Sequence, residues 1–378
     1  MSNLSIVLFT TVLAFSALYA PQPILPLLST EFAVGPAQAS LLITAALLPL
    51  GLAPVFYGYI LETLPARTLL RGSVLLLAIS EIPFLITDSF WLLVAVRGFQ
   101  GLLLPAIFTS LMTYLAAMTP ADQIKRVMSI YIAATIFGGF AGRAVSGLIA
   151  SLGSWRQTFL LLGLGLGLAW WWLGRLDVDA RARFARLSVG AAAGILRKRL
   201  FLRAYLVIFL VFFVFASLLN LLPFRLVELS DTVSSLRIAA VYCGYLVGIA
   251  VALGSMAITR RLGGEVQAIL LGLAVYIVAV LLFALPSVAL IFATMWVFCA
   301  GMFLIHSVLS GYLNHQASEA KGVVNGLYIS FYYAGGTLGS FLPGYVYRHA
   351  GWEGYIACLA VVVTAAAAVA LGLRRAAP

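Results

Sequence analysis

Three blocks of the chain, residues 4–28, 37–60 and 201–222, are almost wholly apolar and carry a single charge among them, Arg203. Each reaches the roughly 20 residues that a helix needs to cross a ~30 Å hydrocarbon core. Unpaired backbone groups cannot be left facing lipid, so helices are the open solution for such blocks. Composition agrees: 63% of the 378 residues are hydrophobic and 9% are charged. A soluble domain would have too few charges to cover its surface. The sequence therefore predicts an all-α polytopic membrane protein.

The first block lacks a positive flank and exceeds the roughly 7–15 apolar residues of a cleaved signal, so it is expected to remain as a span. Cys243, Cys299 and Cys358 fall inside predicted spans and are expected to be buried thiols, not disulfides or metal ligands. The net charge of +11 could suggest nucleic acid, but the basic residues lie in the loops between spans, where insertion topology puts them.

Dividing the chain at charged and Pro/Gly-rich breaks gives twelve spans: 4–28, 37–60, 68–87, 91–117, 127–150, 156–174, 202–223, 236–258, 266–285, 288–313, 322–346 and 354–373. With the N-terminus in the cytoplasm, 17 of the 23 Lys and Arg fall on the cytoplasmic side and four outside. Arg97 and Arg143 stay within spans. This bias predicts both termini inside a plasma (inner) membrane. The longest polar segment, 177–200, holds "RARFAR" and "RKR" and is read as a basic linker lying against anionic lipid. It separates two six-helix halves, 1–176 and 201–378.

A shift of 197 residues lays the fifth span on the eleventh without a gap. "IYIAATIFGGFAGRAVSGLIASLGSWR" aligns with "LYISFYYAGGTLGSFLPGYVYRHAGWE". Gly138, Gly142 and Gly147 meet Gly335, Gly339 and Gly344, and Trp155 meets Trp352. Small residues four apart make a flat stripe for a neighbouring helix. The tryptophans are expected in the outer aromatic belt. Two halves sharing a glycine seam describe parallel repeats with a binding site between them. Arg143 corresponds to Ser340, so the repeat does not itself require a cation there.

These residues resemble the major facilitator superfamily, and within it the proton-coupled efflux branch of twelve-span antiporters. "GYILETLPAR", 58–67, looks like the loop G-x-L-a-D-r-x-G-r that follows span two, with Glu62 for Asp and Pro65 for Gly. "RGFQG" resembles the span-four motif through Arg97, Gln100 and Gly101. Gly138, Gly142 and Gly147 resemble the antiporter signature, with Arg143 in its proline slot and Ser146 at its penultimate glycine. The resemblance implies gating roles for Gly58, Glu62, Arg67, Gln100 and the three span-five glycines. It implies alternating access, no cofactor or bound metal, and a chain that works as a monomer.

Charges inside the membrane are costly, roughly 2.5–3.5 kcal/mol for a central arginine, so each is a candidate. Arg143 lies about 12 Å below the outer interface, counted back from Ser151 at a rise of about 1.5 Å per residue. It either snorkels or packs in a salt bridge, or serves the cavity or outer gate. Arg97 is expected to bind Gln22 and carbonyls freed near Pro21, Pro23 and Pro26, or to give structural support. His306 is the natural proton carrier, because its pKa needs little shifting; a lone buried histidine is more often simply hydrogen-bonded. Glu81 is the one acid clearly within a span, with a packing or lipid-edge role set against coupling. Tyr328, Tyr332 and Asn220 are expected to line the cavity, although the tyrosines could face lipid.

Two arginines and a histidine with so little acid favour an anionic, zwitterionic or neutral-polar cargo. The leading reading is a proton-coupled exporter whose partners are a small solute, protons and membrane lipid. An uptake symporter, a multidrug exporter and a non-transporting sensor are the alternatives. No H-E-x-x-H, G-x-S-x-G or Walker sequence is present, so neither an enzyme nor an ATP-driven pump is expected.

Overall fold

Helices account for nearly all of the chain in a computed structural model that describes residues 2–63, 65–120, 122–176, 189–230, 232–317 and 321–374. The side chains of 54–63, 125 and 189 lie outside that description. Among the described residues nine helices are long and apolar enough to cross a membrane. Helices Leu41–Thr63, Arg156–Leu173 and Lys321–Phe341, which are shorter or less apolar, take the places of spans two, six and eleven.

Prolines and glycines shape the spans. The first runs Asn3–Tyr19, tightens into a 3-10 turn at Gln22–Ile24 and resumes as Leu25–Glu31. Pro21 has no N–H to offer the Ala17 carbonyl, and the turn interrupts the ladder past Leu18. Pro223 likewise leaves the Leu219 carbonyl of span seven (Arg199–Leu229) free, and the Tyr242 hydroxyl donates to it at 2.7 Å. Spans eleven and twelve meet at Gly351, whose φ of 65° suits glycine. The eleventh therefore extends from Lys321 past Pro343 to this turn, longer than the sequence suggested.

Within the first half, span one packs on span five (Ile124–Leu152) and span six, and span four (Phe90–Met118) on spans two and three. The second half repeats this, with span seven on the eleventh and span ten (Val288–Gln316) on the ninth. The halves meet where span five packs on span eight (Ser235–Val241 and Gly244–Arg261), and span two on span eleven. These two contacts are equivalent under the repeat.

The glycine seam obeys the same register. A Cβ on Gly142 would lie 2.5 Å from Ser16 Cα, and one on Gly339 would collide with the backbone of Phe213. Ser16 and Phe213 are themselves separated by the repeat's 197 residues. Gly138 lies on Val12, and Ser16 Oγ donates to its carbonyl at 2.9 Å. Gly147 instead meets Ser235 and Ala239 of span eight, so the third glycine of the stripe belongs to the contact between halves.

Two expectations change. Trp155 and Trp352 are buried, at 3% and 4% exposure, and do not form a lipid-facing belt. The Trp155 indole N–H donates to Glu31 at 2.5 Å and that of Trp352 to the Phe283 carbonyl at 2.7 Å, so each ties itself to a helix end of its own half. Of the cysteines only Cys299 is buried; Cys243 and Cys358 are half-buried.

Candidate functional site

Arg143 is fully buried where span five faces span eight. Its Nε donates to Gln22 Oε1 at 2.6 Å and its Nη1 to the Gly139 carbonyl at 2.6 Å. Three tyrosine rings surround the guanidinium: Tyr19 at 4.2 Å, Tyr245 at 4.7 Å and Tyr242 at 5.1 Å. Cation–π contacts of this kind gain strength when desolvated, to about 2 kcal/mol or more. Nη2 has no hydrogen-bond partner, and among the described residues no carboxylate pairs with this cation. A buried guanidinium left with an unmade bond carries an uncompensated donor.

The cation also orients what lies beyond it. Because Gln22 Oε1 accepts from Arg143, its Nε2 is turned to Asn220 Oδ1 at 2.6 Å. Asn220 Nδ2 in turn donates to the Ser340 carbonyl at 3.4 Å, and Ser340 Oγ meets Thr44 Oγ1 at 2.7 Å. This chain runs from spans five and one across to seven and eleven, then back to span two. It ties the halves together at the end of the bundle away from both termini. Arg143 and Ser340, equivalent in the repeat, are both members.

Arg97 has a different role. Its Nε donates to the Leu42 carbonyl at 2.7 Å, Nη1 to the Ala17 carbonyl at 2.9 Å and to Gln100 Oε1 at 2.6 Å, and Nη2 to the Leu18 carbonyl at 2.5 Å. The freed span-one carbonyls are its partners, as expected, but Gln22 is not: that amide lies on the Arg143 side of span one. Arg97 staples span four to spans one and two and is not a cavity residue. Gln100 extends the staple to Ser80 Oγ at 3.0 Å.

Glu81 is 1% exposed, which removes the lipid-edge reading. It packs beside Gly163 of span six, inside the first half. Arg97 lies within its electrostatic reach.

His306, half-buried on span ten, places Nδ1 2.8 Å from the Tyr328 hydroxyl, which also reaches the His306 carbonyl at 3.2 Å. Nε2 has no protein partner among the described residues. Its ring lies 5.1 Å from Tyr332, which stacks on Phe212 at 3.6 Å. From Phe212 ring contacts continue to Phe215 at 6.0 Å and Tyr245 at 5.8 Å, and so to Arg143. Tyr328 and Tyr332 thus face the protein interior, not lipid, and an aromatic wall joins His306 to Arg143.

Over residues 7–339 the chain matches the Major Facilitator Superfamily. It belongs to this superfamily. The inner membrane transport protein YnfM of Escherichia coli strain K12 is 29% identical over 386 residues, covering 99% of this chain and 91% of its own. The MFS antiporter QDR1 of Candida albicans is 28% identical over 171 residues, 43% of this chain and 33% of its own. A crystal structure of the nucleoside transporter NupG matches with a TM-score of 0.81 at 14% identity, covering 98% of this chain and 100% of that one. At that identity the likeness concerns the fold. The chain is a membrane-spanning transporter and not an enzyme.

Of the superfamily loop after span two, Gly58 and Glu62 fall among the side chains outside the description. Arg67 Nη2 donates to the Gly174 carbonyl at 2.5 Å, at the end of span six. The sequence reading missed the cage. Its signal was spacing: Tyr19 precedes Gln22 by three residues and Tyr242 precedes Tyr245 by three, which puts each pair on one helix face.

Proposed function

We propose that this chain is a proton-coupled secondary exporter of a small anionic, zwitterionic or neutral-polar solute, working by alternating access. One observation carries the reading of the cargo: Arg143, fully buried between the halves, keeps an unpaired Nη2 and has no acidic counter-charge among the described residues. A lipophilic cation would meet the repulsion of this unneutralised guanidinium. The distribution of Lys and Arg supports cytoplasmic termini, which puts the Arg143–Gln22–Asn220–Ser340 chain toward the outside. In that orientation we read the bonded chain as the closed outer gate.

His306 is the group to which we assign the proton. For a cargo that carries a donor, its bond to Nε2 and a proton on Nε2 compete for one lone pair, which supplies the mutual exclusion that antiport requires. Glu81 lies away from this interface and is given no coupling role. The partial likeness to an antiporter supports this direction of coupling.

Transport into proteoliposomes under an imposed pH gradient tests the proposal. Over a panel of anionic, zwitterionic and cationic solutes, flux is expected for the first two classes; flux of cationic dyes alone defeats it. His306→Gln is expected to lose gradient-driven accumulation while keeping cargo-for-cargo exchange, which needs no net proton movement. Full gradient-driven flux in His306→Gln would remove the proton from this residue.

A further inference from the structure

We propose that the cargo bound through Arg143 is a small aromatic carboxylate, its carboxylate on the guanidinium and its ring against the tyrosine and phenylalanine wall. The inference rests on Arg143 being the cargo-binding cation and adds the chemical class of the rest of the molecule. Beyond Gln22 and the Gly139 carbonyl, the surroundings of that cation are aromatic rings. Tyr19 and Tyr245 flank it from opposite halves, and Tyr245 leads to Phe303 at 5.5 Å and Phe215 at 5.8 Å. Tyr332 stands edge-on to Tyr333 at 5.0 Å, and both are half-buried. Gln22 and Asn220, the polar amides nearest Arg143, are already spent on each other and on the backbone.

Hydroxyls at the ring edges could serve a polar cargo, but the ring faces offer a hydroxyl-rich body no hydrogen bonds and would desolvate it without return. A saturated apolar body would gain burial but not the quadrupole contacts that faces and edges of neighbouring rings provide. A planar aryl group gains both. Nη2 is the unmade bond that a carboxylate oxygen completes, and Nη1 and Nε stay with Gly139 and Gln22. The cage therefore accepts the anion without dismantling what holds the arginine. Half-buried Tyr19 is the wall that must yield for entry, since Tyr242 and Tyr245 are buried at 2% and 5% exposure.

The test is isothermal titration of the purified full-length protein with four probes: benzoate, cyclohexanecarboxylate, benzamide and acetate. Benzoate is expected to bind roughly tenfold more tightly than cyclohexanecarboxylate, the ratio two modest ring contacts supply. Acetate and benzamide are expected to bind at least that much more weakly than benzoate. Tyr19→Leu and Tyr245→Leu should each lower the benzoate-to-cyclohexanecarboxylate ratio to roughly threefold, the square root of tenfold for one of two contacts, a selective change that general unfolding would not produce. Tyr19 is half-buried, so its variant serves where the Tyr245 variant misfolds. Equal affinity for the two ring acids in the unaltered protein, or no benzoate binding, overturns the aromatic assignment. Tight benzamide binding that Arg143→Gln leaves unchanged overturns the anion reading beneath it as well.

Discussion

Arg143→Gln is expected to cut transport of anionic cargo at least about a hundredfold while leaving a folded protein in the membrane. Hydrogen bonds to a charged group contribute roughly 1.5–3 kcal/mol each, and a cargo carboxylate loses both the bond to Nη2 and the buried charge. The fold should tolerate the change, because no salt bridge is broken and the new amide can still reach Gln22. Arg143→Lys keeps the charge but loses the planar fork that serves Gln22, Gly139 and a ligand at once. It is expected to recover only part of the activity, within about tenfold of the original protein, a step of roughly 1.4 kcal/mol. Initial rates in proteoliposomes, normalised to reconstituted protein, decide the matter. Undiminished anion flux through Arg143→Gln would show that this cation is part of the scaffold.

For Arg97→Ala the expected loss is of folding, not of selectivity. Four acceptors, the carbonyls of Ala17, Leu18 and Leu42 and the Gln100 side chain, would lose their donor in a fully buried place. Each unsatisfied buried group costs about 1–3 kcal/mol, so the sum rivals the ~5–15 kcal/mol by which ordinary proteins are stable. Two of these carbonyls have no alternative, because the Pro21 turn has withdrawn their helical partners. Glu81 would also lose the cation in its reach. Little monodisperse protein should be recovered by size-exclusion chromatography, with Arg143→Gln behaving as the unaltered chain does in the same assay. Normal yield and melting temperature for Arg97→Ala would refute the staple.

These two arginines show where sequence reading stops. Both were visible as charges in apolar spans at similar depth, and both as candidates for the cavity. Their difference depends on what faces them. Arg97 points to a stretch of span one whose carbonyls a proline has released; Arg143 points to rings from another half. Gln22 was placed with the wrong arginine, because its side depends on how the 3-10 turn rotates span one. The pairing of Gln22 with Asn220, 198 residues away, leaves no local trace at all. The cage could have been suspected from the three-residue spacing of its tyrosines, but spacing does not say what a helix face meets.

The sequence by itself determined the all-helical membrane architecture and the register of its glycine seam. Those properties follow from solvation and self-similarity: long apolar blocks leave the backbone no other way across lipid, and a repeated spacing of small residues repeats the contact it permits. Only the tertiary structure decided which buried cation is fully bonded and which keeps an unmade bond. Hydrogen-bond satisfaction is settled between elements distant in sequence, by the few ångströms that bring a freed carbonyl, an amide or an aromatic face within reach.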